Sequence, residues 1–316
     1  RIPYFLNINM IDTIKLNALV GNEECLRIGK LLDNKYTLLN DKEDNVKVEG
    51  KFNNFKIQIF RSSIHVIGSL PKYCKGTNLE ILTLQEIRDA IDRLSEELGV
   101  NFWVAKATRI DIGANIEVRK PIHNYLNVLK GISKFKKYGY SDSTLEFRNS
   151  KESIIFYDKI TEMRAHKRDI PSYFWGKKIL RFELRMIGSL KYSLDEDTLL
   201  EDILSEDVFN QLICRWYKRY NAIKKVPAPC LEAVPKDCTL KDFMNIIISA
   251  GIYSIGYDNI INDLDASKDL MSKNNYSRIK KRLNDIISDK SIFIDNSIIT
   301  ELDEHINNIA KSYGII

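Results

Sequence analysis

The sequence predicts an α+β fold: a twisted, mainly antiparallel sheet with helices on one face, followed by a small all-helical C-terminal domain. Two observations support this prediction. Several segments alternate apolar and polar residues, as strands with one buried face do. By contrast, residues 239–316 follow the three- and four-residue spacing of helices, and a proline-containing linker at 226–238 precedes them.

The first part of the chain is rich in strand patterns. Met10 opens an apolar run, so we take residues 1–9 as an extension and residues 10–225 as the main domain. A loop at 68–73 and an amphipathic helix at 82–98 follow the early strands. Those strands are predicted at residues 10–20, 36–39, 46–48 and 55–67.

Three later strands each have one apolar and one polar face. They span residues 102–118, 153–159 and 179–186. Their polar faces carry, in that order, Arg109 and Asp111, then Tyr157 and Lys159, then Arg181, Glu183 and Arg185. If the three strands are neighbours, these groups meet on one surface. Cross-strand ion pairs alone would explain any one strand, but the combination of carboxylates, a phenol and cations favours a functional site.

The other segments complete the predicted order of elements. A short helix begins at Pro121 and extends to about residue 132, because proline is tolerated in the first helical turn. The basic, aromatic stretch 133–140 then leads into a strand at 143–148, which forms a hairpin with 153–159. A helix is predicted at 198–222, and in the helical tail only residues 291–294 have strand character.

The composition is that of a globular protein with a basic middle region. Of 316 residues, 44% are hydrophobic and 29% charged, and the net charge is +5. Residues 119–190 contain 16 Lys/Arg and 7 Asp/Glu, whereas residues 191–210 contain seven acids and one lysine. A basic block of this kind favours an anionic partner.

Several classes of protein do not fit the sequence. The five cysteines are scattered and the four histidines form no H-x-H or H-x-x-x-H pair, which is unlike a disulfide framework or a zinc site. There is no glycine-rich phosphate loop. No apolar run is long enough to cross a bilayer. We therefore expect a cytoplasmic protein without membrane partners.

The polar faces suggest phosphoryl chemistry. Asp111 and Glu183, with no histidine beside them, suit a hard cation such as Mg²⁺ or Mn²⁺. A tyrosine near such a metal can attack a phosphodiester when cations lower the pKa of its phenol from about 10. Lys159 and the metal could have this effect on Tyr157. The arginines would neutralise charge on the transferring phosphate.

These residues also resemble a known family. T-R-I-D-I-G-A-N-I (108–116), I-I-F-Y-D-K (154–159) and I-L-R-F-E-L-R-M (179–186) are similar in order and spacing to strands of phage and plasmid replication initiators. The type member is the gene II/X protein of filamentous phages. The family's opening resembles Met10-Ile11-Asp12, and G-S-L-P-K-Y followed by Asn78 resembles another of its elements. The likeness covers about residues 10–222.

The resemblance implies a site-specific, metal-dependent nickase of rolling-circle replication. Tyr157 would attack one strand of origin DNA, leaving a 5′-phosphotyrosine and a free 3′-hydroxyl, and a second transfer would rejoin the strand. The metal, Mg²⁺ or Mn²⁺, would be held by Asp111 and Glu183. Phosphate would be bound by Arg109, Lys159, Arg181 and Arg185. Other candidate nucleophiles are the tyrosines predicted in nearby basic loops, Tyr138, Tyr140 and Tyr173.

Further basic residues then fit as DNA contacts. Cations interleaved with aromatic residues suit single-stranded DNA, and a basic helix suits duplex DNA. The single-strand candidates are Lys134, Lys136 and Lys137, and the duplex candidates are Arg278, Lys280 and Lys281. Lys72 is a further candidate DNA contact. The expected partners are single-stranded or supercoiled origin DNA, the host helicase and polymerase, and a second copy of the chain in a homodimer.

Three alternatives remain open at this stage. A relaxase that mobilises a plasmid would use the same chemistry. A DNA-binding regulator would have no catalysis, and its polar faces would be salt-bridge networks only. A metal nuclease that activates water would cut DNA without forming a protein–DNA adduct.

Overall fold

The computed structural model describes residues 10–40, 45–80, 82–187, 190, 198–226, 237–255, 257–289 and 297–316. The strands are β1 (Ile11–Leu19), β2 (Asp33–Asn40), β3 (Asn45–Phe52), β4 (Phe55–Ile59), β5 (Ser63–Ser69), β6 (Lys106–Glu117), β7 (Leu129–Gly131), β8 (Lys136–Ser141), β9 (Thr144–Arg148), β10 (Glu152–Asp158), β11 (Ile179–Ile187) and β12 (Lys224–Lys225). The α-helices are α1 (Asn22–Leu31), α2 (Leu70–Lys75), α3 (Leu84–Leu98), α4 (Ile122–Val128), α5 (Lys159–Ala165), α6 (Leu200–Ile203), α7 (Glu206–Asn221), α8 (Leu240–Ile255), α9 (Tyr257–Ala266), α10 (Lys273–Ser288) and α11 (Ser297–Ser312).

Ten of the strands form one antiparallel sheet. Their order is β2-β3-β4-β5-β1-β6-β11-β10-β9-β8, and β7 pairs with β12 in a separate ribbon. The two longest strands of the polar–apolar type, β6 and β11, lie side by side near the middle. The predicted α+β class, with its antiparallel sheet and its helical C-terminal region, is therefore confirmed.

The apolar face of the sheet is covered by the larger helices. Phe182 of β11 stacks on Phe156 of β10 and on Trp216 of α7, with ring centroids 4.5 Å apart in both pairs. All three rings are fully buried, and α3 adds Ile91 and Leu94 to the same core. Burying one such side chain stabilises the fold by about 1.5–3 kcal/mol. The apolar sets predicted for β6 and β11 thus form the centre of the core.

The last helix belongs to this main core. Leu302 and Ile306 of α11 are fully buried in it. The hydroxyl of Tyr125 in α4 donates to Glu301 at 2.5 Å, and that of Tyr220 in α7 donates to Asp303 at 2.6 Å. By contrast, α8, α9 and α10 pack around a separate small cluster that contains Ile246, Ile252 and Ile286. The sequence predicts one helical domain from residue 239 onwards. In the structure α11, which lies within that range, packs into the core of the main domain.

Two of the predicted early elements differ in the structure. Residues 55–67 form two strands, β4 and β5, because the chain turns where the Phe60 N–H donates to the Ser63 carbonyl at 2.8 Å. Residues 68–73, predicted as a loop, contain the end of β5 and the start of α2. Ser69 caps α2 by accepting from the Lys72 N–H, and Gly76, with φ of 72°, ends it.

Other differences follow from short elements and from local capping. The basic stretch 133–140 was predicted to lead into the hairpin, and most of it is itself a strand, β8. The helix predicted at 198–222 is broken into α6 and α7, because Ser205 caps the second helix. Helix α1 was not predicted. The extension 1–9, the strand at 291–294 and nearly all of the linker at 226–238 lie outside the described residues.

Candidate active site

The register of the sheet brings the three polar faces together. On β10 and β11, Tyr157 pairs with Arg181, and on β11 and β6 Arg181 pairs with Asn115. Arg185 pairs with Asp111 across the same two strands. Because paired residues point to the same side of a sheet, these side chains share one face. The prediction that the three strands are neighbours is confirmed.

Asp111 and Glu183 form the acidic centre of this face. Arg185 lies between them: its Nε is 3.5 Å from Asp111 Oδ2 and 3.2 Å from Glu183 Oε2. Arg109 binds Asp111 from the other side, with Nε 2.7 Å from Oδ1 and Nη2 2.5 Å from Oδ2. Two arginines thus hold two buried carboxylates close together.

The ionisation of Asp111 is strongly affected by this setting. Burial raises its pKa to about 6, with the negative charge of Glu183 adding to the rise and Arg109 and Arg185 opposing it. The guanidinium groups therefore offset only part of the desolvation and repulsion. An additional cation between the carboxylates would further stabilise their charged forms.

Arg181 is buried and is held by a second carboxylate, Asp12 of β1. Its Nη2 donates to Asp12 Oδ2 at 2.6 Å and its Nη1 to Asn115 Oδ1 at 3.2 Å. The same Asp12 oxygen also accepts from Asn78 Nδ2 at 3.0 Å, and Asp12 Oδ1 accepts from Ser69 Oγ at 2.5 Å. Although burial opposes ionisation, Arg181 and these hydrogen bonds hold the pKa of Asp12 below its usual value.

Gly113 provides the space for the Arg181 guanidinium. It lies in the middle of β6, and a Cβ atom at this position would be 2.9 Å from Arg181 Nη2 and 3.1 Å from the Phe182 carbonyl oxygen. Glycine in a strand interior often marks such a close approach. Any other residue here would push the guanidinium away from Asp12.

Tyr157 lies half-buried beside this charged group. Burial and the nearby Glu183 raise the pKa of its phenol well above the usual value, and Arg181 opposes the rise. Within the described part of the chain its hydroxyl makes no hydrogen bond. The neighbouring protein cations therefore do not lower this pKa below its usual value, and with these neighbours Tyr157 is a neutral phenol at physiological pH.

The sequence predicts that Lys159 and Tyr157 share one face of a strand, and this prediction is wrong because Lys159 is not in the strand. The strand ends because Asp158 caps α5 by accepting from the Thr161 N–H at 3.0 Å, so Lys159 is the first helical residue. Its side chain is fully buried. Its Nζ donates to Glu162 Oε2 at 2.9 Å and lies 5.7 Å from the Tyr157 ring centroid. Lys159 thus remains close to Tyr157, from a different element.

Two more cations lie at the edge of this group, on α2 and after α5. Arg168 donates to Glu162 Oε1 at 2.8 Å. Lys72 makes no ion pair among the residues that the structure describes. Burial and the charge of Arg168 lower its pKa, while Asp12 and Glu162 raise it. Lys72 is therefore well placed for an external anion.

Of the basic candidates around β8, Lys136 lies on the Tyr157 face of the sheet, at its edge. Lys136 pairs with Arg148 and Tyr138 with Glu146, and both of these partners belong to the Tyr157 side. Lys134 is exposed just before the strand, and Lys137, on the other side, donates to the Leu129 carbonyl at 3.0 Å. Tyr138 and Tyr140 are strand residues, not loop residues, and the Tyr140 side chain is outside the described part.

The remaining candidates lie elsewhere. Tyr173 is exposed in a short turn, where its hydroxyl donates to Glu80 Oε1 at 2.6 Å. Arg278 and Lys281 are exposed on α10, and Lys280 is 3.3 Å from Asp265 Oδ1. None of these three α10 residues belongs to the sheet face that carries Tyr157.

Sequence reasoning did not assign roles to Asp12, Ser69, Asn78 and Glu162. For Asp12, Ser69 and Asn78 the only signal in the sequence is the pair of motifs at residues 10–12 and 68–78 that resemble the family, and Glu162 lies in neither motif. Each contacts the site across 57 or more residues of chain, apart from Glu162, which contacts Lys159 within α5. Pairing over such distances has no pattern in a single sequence.

The oxygen donors of Asp111 and Glu183 suit a hard divalent cation. Such ions are often held by one or two carboxylates together with substrate phosphates. Among the described residues there is no group of three or more acidic, histidine or cysteine side chains that could hold a metal. The pair therefore fits a cation that shares its ligands with a substrate better than one enclosed by protein. Every helix in the described ranges is too short or too polar to span a membrane.

Comparison with known proteins adds one clear finding. A family model described as the N-terminal part of a phage replication-associated protein, of the gene II type, matches residues 10–195, more than half of the chain. No curated protein matches the sequence significantly. Among solved structures, the di-domain ARO/CYC StfQ from the steffimycin biosynthetic pathway aligns with 60% of this chain and 89% of its own, at 8% identity and a TM-score of 0.18. That score supports no shared fold.

Proposed function

Because the chain belongs to the family of phage replication-associated proteins of the gene II type, we propose that it is a DNA nickase and strand transferase that initiates rolling-circle replication. The observation that carries this proposal is that Tyr157 lies on the same sheet face as Asp111, Glu183 and Arg181, with Arg181 as its direct cross-strand partner. A phenol, two carboxylates and several guanidinium groups are suited to phosphodiester transfer.

The proposed first step is attack of the Tyr157 hydroxyl oxygen on a phosphorus atom of the origin strand. A bond forms between that oxygen and phosphorus, and the bond from phosphorus to the 3′ oxygen breaks. The phenolic proton passes to solvent, and the leaving 3′ oxygen takes up a proton from solvent. Rejoining reverses these changes with a different 3′-hydroxyl as the nucleophile.

The arginines would have two different roles. Arg181 is buried and its donors are occupied by Asp12, Asn115 and Glu183. It would therefore stabilise the charge that develops on Tyr157 and would not leave its position to bind DNA. Arg109 and Arg185 keep 22% and 34% of their side chains exposed, so they can contact a phosphate.

Asp111 and Glu183 would hold the Mg²⁺ or Mn²⁺ ion, which supplies Lewis-acid stabilisation of the transferring phosphate. Arg185 contacts both carboxylates, and its partly exposed guanidinium would also contact the phosphate. Lys159 is buried and paired with Glu162. It would therefore position Tyr157 and α5 and would not contact DNA itself.

The test is covalent capture of DNA. The protein is incubated with Mn²⁺ and origin-containing single-stranded or supercoiled DNA, and a denaturation-resistant adduct is measured. The parent should form it, Tyr157→Phe should not, and Tyr138→Phe, on the same sheet face, should form it normally. An adduct that persists in Tyr157→Phe would show that another residue is the nucleophile.

The metal ligands are tested in the same assay. Asp111→Asn and Glu183→Gln should lose the adduct, whereas Glu146→Gln should keep it. Glu146 is a suitable control because it is also a buried carboxylate on this face, paired with Arg148 at 2.7 Å. Cleavage without any adduct would indicate a nuclease that uses water, and binding without cleavage would indicate a regulator.

A further inference from the structure

The turn between α5 and β11 exposes two aromatic side chains. Tyr173 is 53% exposed and Trp175 is 73% exposed. Single exposed apolar residues are common on protein surfaces. Two large rings on one short turn are less common, because each leaves a large apolar surface in water.

Both side chains are held in place by hydrogen bonds at their polar ends. The Trp175 indole N–H donates to the Ile170 carbonyl at 3.0 Å, and the Trp175 backbone N–H donates to the Ser172 carbonyl at 3.0 Å. The Tyr173 hydroxyl is fixed on Glu80, and its ring contacts Phe174 with centroids 4.5 Å apart. The polar ends are therefore satisfied while the ring faces stay in solvent.

Cations surround Trp175. It borders a cleft of about 670 Å³ that Arg119, Lys177 and Lys178 also line. The Arg119 side chain is almost fully exposed, and Lys178 donates to the Arg119 carbonyl at 3.0 Å. Residues 164–178 together contain five Lys/Arg and one Asp. This region therefore favours a polyanion.

The two carboxylates in the cleft are already partnered. Glu117 is 2.8 Å from Lys177 Nζ. Glu301 accepts from the Arg119 backbone N–H at 3.0 Å and from the Tyr125 hydroxyl at 2.5 Å. They reduce the positive potential of the cleft, but neither is left as an unpaired negative charge facing a ligand.

The turn lies at the Tyr157 end of the sheet. β11 begins at Ile179, only two residues before Arg181, the cross-strand partner of Tyr157. At about 3.3 Å per residue this places Tyr157 roughly 7 Å along the sheet from the start of β11. Phe174 also packs against the small buried cluster that contains Ile160 of α5 and Ile179. A DNA strand that extends from Tyr157 in this direction would therefore reach the turn.

We propose that Trp175 is a stacking platform for an unpaired base of single-stranded DNA, with Arg119, Lys177 and Lys178 contacting the adjoining phosphates. Aromatic faces combined with cations are how proteins bind single strands without reading sequence. The inference rests on the proposed function for the identity of its ligand. It adds a binding site for the strand beyond the nicked phosphate.

Fluorescence and affinity test the site directly. An oligothymidylate of about 20 nucleotides is titrated into the parent, Trp175→Phe, Trp175→Ala and the control Trp103→Phe, whose indole is bound to Asp92 at 2.7 Å. DNA should quench tryptophan emission in the parent and in Trp103→Phe, and much less in Trp175→Phe. Trp175→Ala should weaken binding about tenfold, and Trp175→Phe should retain most of it.

Other outcomes would overturn the proposal. Equal quenching in Trp175→Phe and the parent would exclude contact with this indole. Unchanged affinity of Trp175→Ala, or an equal loss of affinity for a blunt duplex, would exclude stacking of an unpaired base. The adduct assay separates this from the proposed function: quenching without any adduct rejects only the nickase, whereas an adduct without Trp175-dependent quenching rejects only the platform.

Discussion

Asp111 and Glu183 show how individual charges set the properties of the site. Both are buried, and Arg185 bridges them. Buried carboxylates of this kind lose hydration and repel each other, and ion pairs recover only part of that free energy. Asp12 is the opposite case, because Arg181, Ser69 and Asn78 all stabilise its charge. Two aspartates on one sheet face therefore have opposite effects on folding.

We predict opposite stability changes on neutralising these two residues. The pKa of Asp111 is raised in the folded state to about 6 from 3.8, so its ionisation destabilises the fold as pH rises through this range. Asp111→Asn should therefore increase the free energy of unfolding at pH 7.5 by about 1–3 kcal/mol, and this gain should disappear towards pH 4. Urea unfolding at several pH values measures it.

Asp12→Asn is the matched comparison. The pKa of Asp12 is lowered in the folded state. Its negative charge therefore stabilises the fold at pH values above the pKa of the unfolded state, and this stabilisation is lost as the pH falls through the pKa of the folded state. The free energy of unfolding of this variant should fall by about 3–5 kcal/mol at pH 7.5. The buried Arg181 would lose its nearest charge partner and keep only the more distant Glu183, at 3.5 Å. A stability loss in Asp111→Asn at pH 7.5 would contradict this account.

At the residue scale, alternation within strands predicted which side chains share a face. That pattern alone placed five charged side chains on one face, because a period of two residues is a local property of the sequence. They are Arg109, Asp111, Arg181, Glu183 and Arg185. The position of Lys159 did not, because the alternation ends where Asp158 caps a helix. A capping residue after a strand looks like one more polar position in the sequence.

At the scale of elements, the edge strand β8 extends the polar face away from Tyr157. Lys136 and Tyr138 lie on that face and are exposed. Lysines on edge strands also prevent pairing with other chains, so their presence alone does not identify a DNA contact. Salt dependence separates the two roles, because only a phosphate contact releases counterions.

We predict that Lys134→Ala combined with Lys136→Ala reduces the salt dependence of single-strand binding. Each lost phosphate contact should lower the slope of log K against log salt by about 0.7, or about 1.4 for both. Fluorescence anisotropy with oligothymidylate at several salt concentrations measures the slope. Arg278→Ala combined with Lys281→Ala, on α10, is the control and should affect duplex binding only. An unchanged slope with increased aggregation would assign the β8 lysines to edge protection.

The long helix α3 was predictable, and the shorter helices α1 and α2 were not. Helix α3 has a regular apolar stripe, a capping box at Thr83 and Gly99 in the left-handed conformation, and these signals lie within one segment. Helices α1 and α2 have 10 and 6 residues. Only Ile28 of α1 is buried, so that helix leaves little apolar periodicity to recognise.

At the scale of the whole molecule, the C-terminal region divides between two cores. α11 completes the main core, with hydrogen bonds to α4 and α7. Helices α8 to α10 enclose their own cluster. Sequence patterns predicted that the region is helical, but helical periodicity does not indicate which neighbour a helix packs against. Deleting the whole tail would therefore remove part of the sheet domain as well.

Substitutions in the two cores should have separable effects. Leu302→Ala, in α11, should destabilise the sheet domain by about 2–5 kcal/mol, because it leaves a cavity beside buried side chains. Ile252→Ala, in α8, is the matched change in the small cluster.

All three tryptophans lie between residues 103 and 216, so tryptophan fluorescence follows the sheet domain, while circular dichroism at 222 nm follows both regions. Leu302→Ala should shift the fluorescence-detected unfolding midpoint to lower urea, and Ile252→Ala should change only the dichroism curve. A fluorescence shift of equal size in both variants would mean that the helices from α8 to α11 unfold with the sheet as one unit.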